Sequence, residues 1–267
     1  MQEDREEVGS EHEGSDVVFK RIIPCLDTSH GMLVKGIRFL NLRELGDPVE
    51  FAMKYEDEGA DELVLLDITA TPEGKPTFLE VVRRVADVIS IPLSVGGGIR
   101  SVEDALKVMD AGADRVSVNT AAVKRPELLA ELADAIGSKK VVCAIDGKKA
   151  GGGWEVYIRG GAQPTGIDMV EWAKRVESLG AGEILYTGIH TDGTQDGYDV
   201  EGTRAIKDSV NIPVIASGGA GKLEHFLEVL RDGKADAALA ASVFHFNTWS
   251  IREVKEFLRG RGVEVRL

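Results

Sequence analysis

The chain has 267 residues, is 43% hydrophobic and carries a formal net charge of −13. That length suits one large α/β domain, no apolar run is long enough to cross a bilayer, and the acidic balance argues against nucleic acid as a partner. The two cysteines, Cys25 and Cys143, sit inside apolar runs at no metal-ligand spacing, so we expect small buried thiols in a reducing cytoplasm, no metal and no cofactor.

Residues 1–17 hold seven acids against one arginine. They have little to bury and are expected to form a disordered tail without chemistry. The start is not a basic-then-apolar leader, so the expected location is cytoplasmic, with no membrane attachment. The rest, 18–267, reads as one domain. Eight short apolar runs follow one another: Arg21–Leu26, Glu62–Ile68, Ile91–Val95, Arg115–Asn119, Lys140–Ile145, Glu183–Gly188, Ile212–Ala216 and Ala237–Ala241. Segments of helical spacing lie between them, among them Pro48–Glu58, Pro76–Ile89, Val102–Ala111, Pro126–Ile136, Gly166–Leu179, Gly202–Val210, Leu223–Arg231 and Ile251–Gly260. Such alternation predicts parallel strands joined by crossover helices. Eight units with a half-repeat near 120 residues predict a (β/α)8 barrel built from two similar halves, roughly 18–138 and 139–267. An open doubly wound sheet is the competitor, but it needs neither eight units nor this repeat.

The first strand opens on Arg21 and ends on Asp27; the fifth ends on Asp146, 119 residues later. In a barrel those strands face one another, which sets two carboxylates across the mouth and suits a general acid and a general base. Long loops follow both strands. Residues 27–45 carry Lys35, which is either a solvated lysine or a partner for a phosphate or carboxylate. Residues 147–165 read as a loop bearing a small hairpin around Trp154. Loops there cover the ligand face and are candidate lids. Asp67, near the end of the second strand, and Asp192, after the sixth, also face the mouth.

The clearest internal copy is glycine-rich. Val95-Gly-Gly-Gly-Ile-Arg and Ala216-Ser-Gly-Gly-Ala-Gly each lie between a strand and a helix, with Gly97 and Gly98 falling on Gly218 and Gly219, 121 residues on. Glycine lets backbone N–H groups approach an anion, and the following helix presents its positive end. Two copies imply two phosphates, or one molecule phosphorylated at both ends. Asn119-Thr120 and Ala241-Ser242 occupy matching places and can add donors to each cradle. Arg21, Glu62, Arg115 and Glu183 open four strands at the opposite face. They are readable as a structural salt-bridge ring or as a functional gate. His30 and His245 look isolated, no Ser-His-Asp or Cys-His arrangement is present, and Gly96-Gly-Gly-Ile-Arg lacks the spacing of a dinucleotide site.

Arg21-Ile-Ile-Pro-Cys-Leu-Asp, Asp67-Ile-Thr-Ala, Val95-Gly-Gly-Gly-Ile, Ser117-Val-Asn-Thr-Ala-Ala-Val, Asp192-Gly-Thr, Gly197-Tyr-Asp and Ala216-Ser-Gly-Gly-Ala-Gly together resemble the cyclase subunits of imidazole glycerol phosphate synthase, of histidine biosynthesis. The resemblance covers 18–267. It implies a duplicated (β/α)8 barrel. It also implies ammonia-dependent conversion of a phosphoribulosyl-formimino aminoimidazole carboxamide ribonucleotide into imidazole glycerol phosphate and aminoimidazole carboxamide ribotide. The family's acid/base pair matches Asp27 and Asp146. Its phosphate sites match Gly98, Asn119 and Thr120 in one half and Gly193, Ser217, Gly219, Ala241 and Ser242 in the other; its mobile-loop lysine matches Lys35. It further implies a separate glutaminase subunit docked on the N-terminal face of the barrel. Ammonia would pass a charged gate matching Arg21, Glu62 and Glu183. Arg115 departs from the family's usual lysine. The acidic tail lies outside the family pattern. The rivals are the isomerase barrel of the same pathway, which needs no ammonia, and a non-catalytic phosphometabolite-binding barrel. The gate charges and Phe244-His-Phe favour the cyclase.

Overall fold

The computed structural model describes residues 18–37, 40–68 and 76–267, so the acidic stretch 1–17 lies outside the described residues. The chain opens with three strands, β1 (Arg21–Ser29), β2 (Met32–Ile37) and β3 (Leu40–Gly46), then helix α1 (Pro48–Asp57). Next come β4 (Leu63–Asp67) with α2 (Pro76–Ala86), β5 (Leu93–Gly96) with α3 (Val102–Asp110), and β6 (Arg115–Val118) with α4 (Thr120–Lys124) and α5 (Glu127–Ile136). The second half repeats the order. It has β7 (Val141–Ala150), β8 (Gly153–Ile158), β9 (Gln163–Asp168) and α6 (Met169–Ser178), then β10 (Glu183–Gly188) with α7 (Val200–Lys207). It closes with β11 (Val214–Ser217) and α8 (Leu223–Arg231), then β12 (Ala237–Ala240) with α9 (Ser242–His245) and α10 (Ile251–Arg259).

Strands β1, β4, β5, β6, β7, β10, β11 and β12 pair in that order, and β12 pairs β1 again, closing a parallel eight-stranded barrel. The period of two sorts each strand into two cores. In β1, Ile22 and Leu26 join the apolar layer under the helices, whereas Ile23 and Cys25 face the barrel axis. Val64, Val142, Leu185, Ile215, Ala237 and Leu239 fill that axis with them. The helices meet the outer layer through amphipathic faces and are stopped by side-chain caps. Ser101 caps α3, Asp168 caps α6, and Ser250 with Glu253 forms a reciprocal capping box on α10. Each cap is worth about 1 kcal/mol.

Three expectations need correction. The segment after the first strand is not an irregular loop. β1 runs on past Asp27, pairs antiparallel with β2, and β2 pairs with β3. In the other half the hairpin expected around Trp154 is present, as β7 extends past Asp146 into antiparallel β8 and β9. The helix expected over Gly166–Leu179 begins only at Met169, because Gly166–Asp168 end β9 and Asp168 is the cap. The helix expected from Gly202 starts two residues earlier, where Asp199 accepts from the Gly202 amide. The single-turn helices α4 and α9, one in each half, were not anticipated.

Candidate active site

The barrel alternation that turns Cys25 inward turns Asp27 inward too, one turn of the pleat nearer the C-terminal end. Asp146 occupies the same place in β7, in register with Thr187 of β10. Both line a cavity of about 1170 Å³ at the C-terminal ends of the strands. The cavity also takes in Lys35, Asp67, Gly98, Asn119, Thr120, Asp192, Gly193, Ser217, Gly219, Ala241 and Ser242. Every catalytic and substrate-binding candidate from the sequence thus meets one space. Arg21, Glu62, Arg115 and Glu183 do not line it.

The two carboxylates sit in different surroundings. Asp27 accepts a long bond from the Cys25 thiol at 3.6 Å. Burial pushes its carboxyl up; the Lys35 ammonium pulls it partly back, and the charge of Asp192 adds to the rise. Burial lifts Asp146 to about 6, against a bond donated by Asn119 Nδ2 at 3.0 Å. Two carboxyls facing one cavity from differing environments are what acid/base chemistry near neutrality requires. The thiols offer no rival nucleophile. Burial pushes Cys143 up to about 12 and raises Cys25 as well, so neither is a thiolate near pH 7.

The glycine cradles are fixed by backbone conformation and by space. Gly97 and Gly98 have φ of 99° and 71°, and Gly218 and Gly219 have 91° and 112°. A Cβ on Gly97 would collide with the Asp67 carbonyl oxygen, and one on Gly219 with the Gly197 carbonyl oxygen. Only glycine meets both demands. Asn119 and Ala241 immediately precede α4 and α9, so the amides of both helix starts sit at the cavity wall.

At the other end of the barrel the four charged candidates form a closed ring. Arg21 donates to Glu62 Oε2 at 2.9 Å and to Glu183. Arg115 donates to Glu62 Oε2 at 3.1 Å and to Glu183 Oε2 at 2.9 Å. Ser94 donates to the remaining Glu62 oxygen at 2.6 Å. The Glu62 and Glu183 side chains are 1% and 5% exposed, those of Arg21 and Arg115 23% and 28%, so the cations form the outward rim. Burial raises the Glu62 carboxyl despite both arginines. For Arg21 the two carboxylates outweigh burial and raise its already high value.

Sequence reasoning missed several residues. Thr187, Ser117 and His190 line the cavity. His190 Nε2 lies 3.8 Å from Asp199. Asp199 is buried and accepts from Tyr186 at 2.6 Å and from Trp154 Nε1 at 2.8 Å, tying the β8 hairpin to β10. In the sequence, Asp199 figures only as the end of the Gly197-Tyr-Asp motif, with no role assigned to it. His245 is not isolated: its Nδ1 shares a hydrogen bond with the Tyr55 hydroxyl, joining α9 to α1. Burial lowers it to about 3, so it is neutral. Among the described residues no cluster of His, Cys, Asp or Glu has the geometry to hold a metal ion, and no helix is long and apolar enough to cross a membrane.

The model of the histidine biosynthesis protein family matches residues 21–250, the whole barrel from Arg21 of the ring to the cap of α10. The imidazole glycerol phosphate synthase subunit HisF of Pyrobaculum aerophilum is 60% identical over 249 residues, covering 92% of this chain and 98% of that protein. A closed barrel with two glycine cradles and a repeat-related pair of aspartates is therefore accompanied by a match across nearly its full length. The chain belongs to the histidine biosynthesis protein family, in its group of imidazole glycerol phosphate synthase cyclase subunits.

Proposed function

We propose that this chain uses Asp27 and Asp146 as the acid/base pair that converts the bis-phosphorylated formimino ribonucleotide and ammonia into imidazole glycerol phosphate and aminoimidazole carboxamide ribotide. One observation carries the reading: repeat-related carboxylates and both phosphate cradles share one cavity. Ammonia attack leaves surplus protons on nitrogen, and cleavage requires a proton for the departing amine. Two carboxyls held up by burial, Asp146 at about 6, exchange such protons near neutrality. Gly98, Asn119 and Thr120 hold one phosphate; Gly193, Ser217, Gly219, Ala241 and Ser242 hold the other. Lys35, whose charge acts on Asp27, closes the first loop over the ligand, and Asp67 and Asp192 orient its middle.

A relative named as a subunit supports assembly with a second chain. We place a glutaminase partner at the N-terminal face, below the Arg21–Glu62–Arg115–Glu183 ring, with ammonia entering through that ring. Cytoplasmic location accords with this role.

The test is turnover of the formimino substrate by the purified chain with excess ammonium salt at alkaline pH and no partner, followed by ultraviolet absorbance. Asp27→Asn and Asp146→Asn are each expected to lose at least about a hundredfold. Turnover that ignores ammonium, or activity only on the isomerase's substrate, would sink the reading.

A further inference from the structure

The duplication poses a problem for a ligand with a phosphate at each end. Two similar cradles in one cavity can hold such a molecule in either direction, and only one direction sets its reacting centre correctly between Asp27 and Asp146. Something must tell the cradles apart.

The cavity walls differ in charge. Of the cations lining the cavity, the charge of Lys35 reaches His245 of α9, beside the second-half cradle, whereas Arg100, Lys124 and Arg125 follow the Gly98 and Thr120 stretches of the first. The first-half cradle has Arg159 nearby, and that residue comes from the other half of the molecule. It stands at the β8–β9 turn, where Arg159, Gly160 and Gly161 all take positive φ, at 57°, 64° and 80°. The turn leans across the cavity mouth, and the Arg159 amide donates to Thr120 Oγ1 at 3.0 Å.

Two consequences follow from that bond. A hydroxyl that accepts from an N–H keeps its own hydrogen to donate, so Thr120 is set as a donor toward the cradle. Arg159 itself lines the cavity at its exposed mouth. Arg100 and Lys124 share this wall; Arg125, also there, is committed to Glu131, and Lys148 lies over the Tyr157 ring, so what singles out Arg159 is its own amide bond to Thr120. The turn itself does not call for arginine. Its φ is one that glycine or asparagine adopts more readily.

We propose that Arg159 sets the direction of the bis-phosphorylated substrate, its guanidinium adding charge to the phosphate held at Gly98, Asn119 and Thr120 and to no other. This inference rests on the functional reading above and adds a specificity residue to it. Planar guanidinium–phosphate pairing supplies the charge-assisted bonds that backbone amides alone do not.

The experiment measures binding of each phosphorylated product, imidazole glycerol phosphate and aminoimidazole carboxamide ribotide, by calorimetry. Arg159→Asn keeps a residue that tolerates positive φ and removes the charge; Arg159→Lys keeps the charge. In R159N one product is expected to bind about tenfold more weakly, while the other stays within about twofold. R159K is expected to recover part of the loss. Equal weakening of both products, or no weakening of either, overturns the proposal. If the unaltered chain binds neither product, the functional reading fails with it; if it binds both and R159N does not discriminate, only this proposal fails.

Discussion

The two half-barrels agree at one end and disagree at the other. At the C-terminal end Asp27 answers Asp146, the Gly97-Gly98 pair answers Gly218-Gly219, and α4 answers α9. At the N-terminal end Glu62 still answers Glu183, 121 residues on, but the rest of the correspondence breaks. Three of the four ring residues, Arg21, Glu62 and Arg115, come from the first half, and only Glu183 from the second. The places matching Arg21, Ser94 and Arg115 hold Lys140, Ile215 and Ala237. Lys140 is exposed in a short turn, while Ile215 and Ala237 fill the apolar axis. A ligand with like groups at both ends suits twofold walls. The ring, which we propose as an entry port for one small molecule, would need no such symmetry, and the halves differ there.

The ring gives the largest test of that contrast. Glu62→Gln would leave Arg21 and Arg115 with one carboxylate between them and is expected to cost about 3 kcal/mol in denaturant unfolding. Glu183→Gln should cost less, because Ser94 anchors Glu62 alone. Equal costs would mean that the serine contributes nothing and that the ring is energetically symmetric despite its unequal origins.

The cradles should instead respond alike. Gly97→Ala and Gly219→Ala each place a methyl group against a carbonyl oxygen at positive φ. Each is expected to lower stability by at least about 2 kcal/mol, read as a fall in denaturant midpoint. If one is tolerated, the two turns are not equivalent.

A smaller effect separates the aspartates. The folded chain holds the Asp146 proton up to about pH 6, whereas an unfolded aspartate releases it near 4. Between these values the folded state binds more protons, so stability falls as pH rises. Removing the charge in Asp146→Asn is therefore expected to raise stability by about 2 kcal/mol at pH 8 and to change little at pH 4. Thermal melts at the two pH values, on a variant expected to be inactive, check this. A variant no more stable at pH 8 than at pH 4, relative to the parent, would show that the buried charge is already compensated.

The eight barrel strands were legible because each is a short apolar run between turn signals, and the aspartates and glycines because the chain states them twice. What was missed has physical reasons. Helices α4 and α9 span about one turn, too short for a 3.6-residue period to register. Strands β2 and β3 place Lys35, Asn41 and Arg43 among their apolar residues, so neither reads as an apolar run. The Asp199 bonds join residues far apart in sequence, Trp154 among them, and only the closed barrel brings them together. The ring was legible as four charges, but not how they pair.

Strands β1 and β7 run unbroken from the barrel into their hairpins. No turn separates either aspartate from the hairpin beyond it. Thr28 pairs with both β4 and β2, and Asp146 with both β10 and β8. Each carboxylate stands at the fulcrum of a stiff lever, with the barrel as its short arm and the hairpin as its long one. Any tilt of the long arm would turn the carboxylate with it. In the proposed reaction, sealing the mouth and aiming the proton carrier would be a single mechanical stroke.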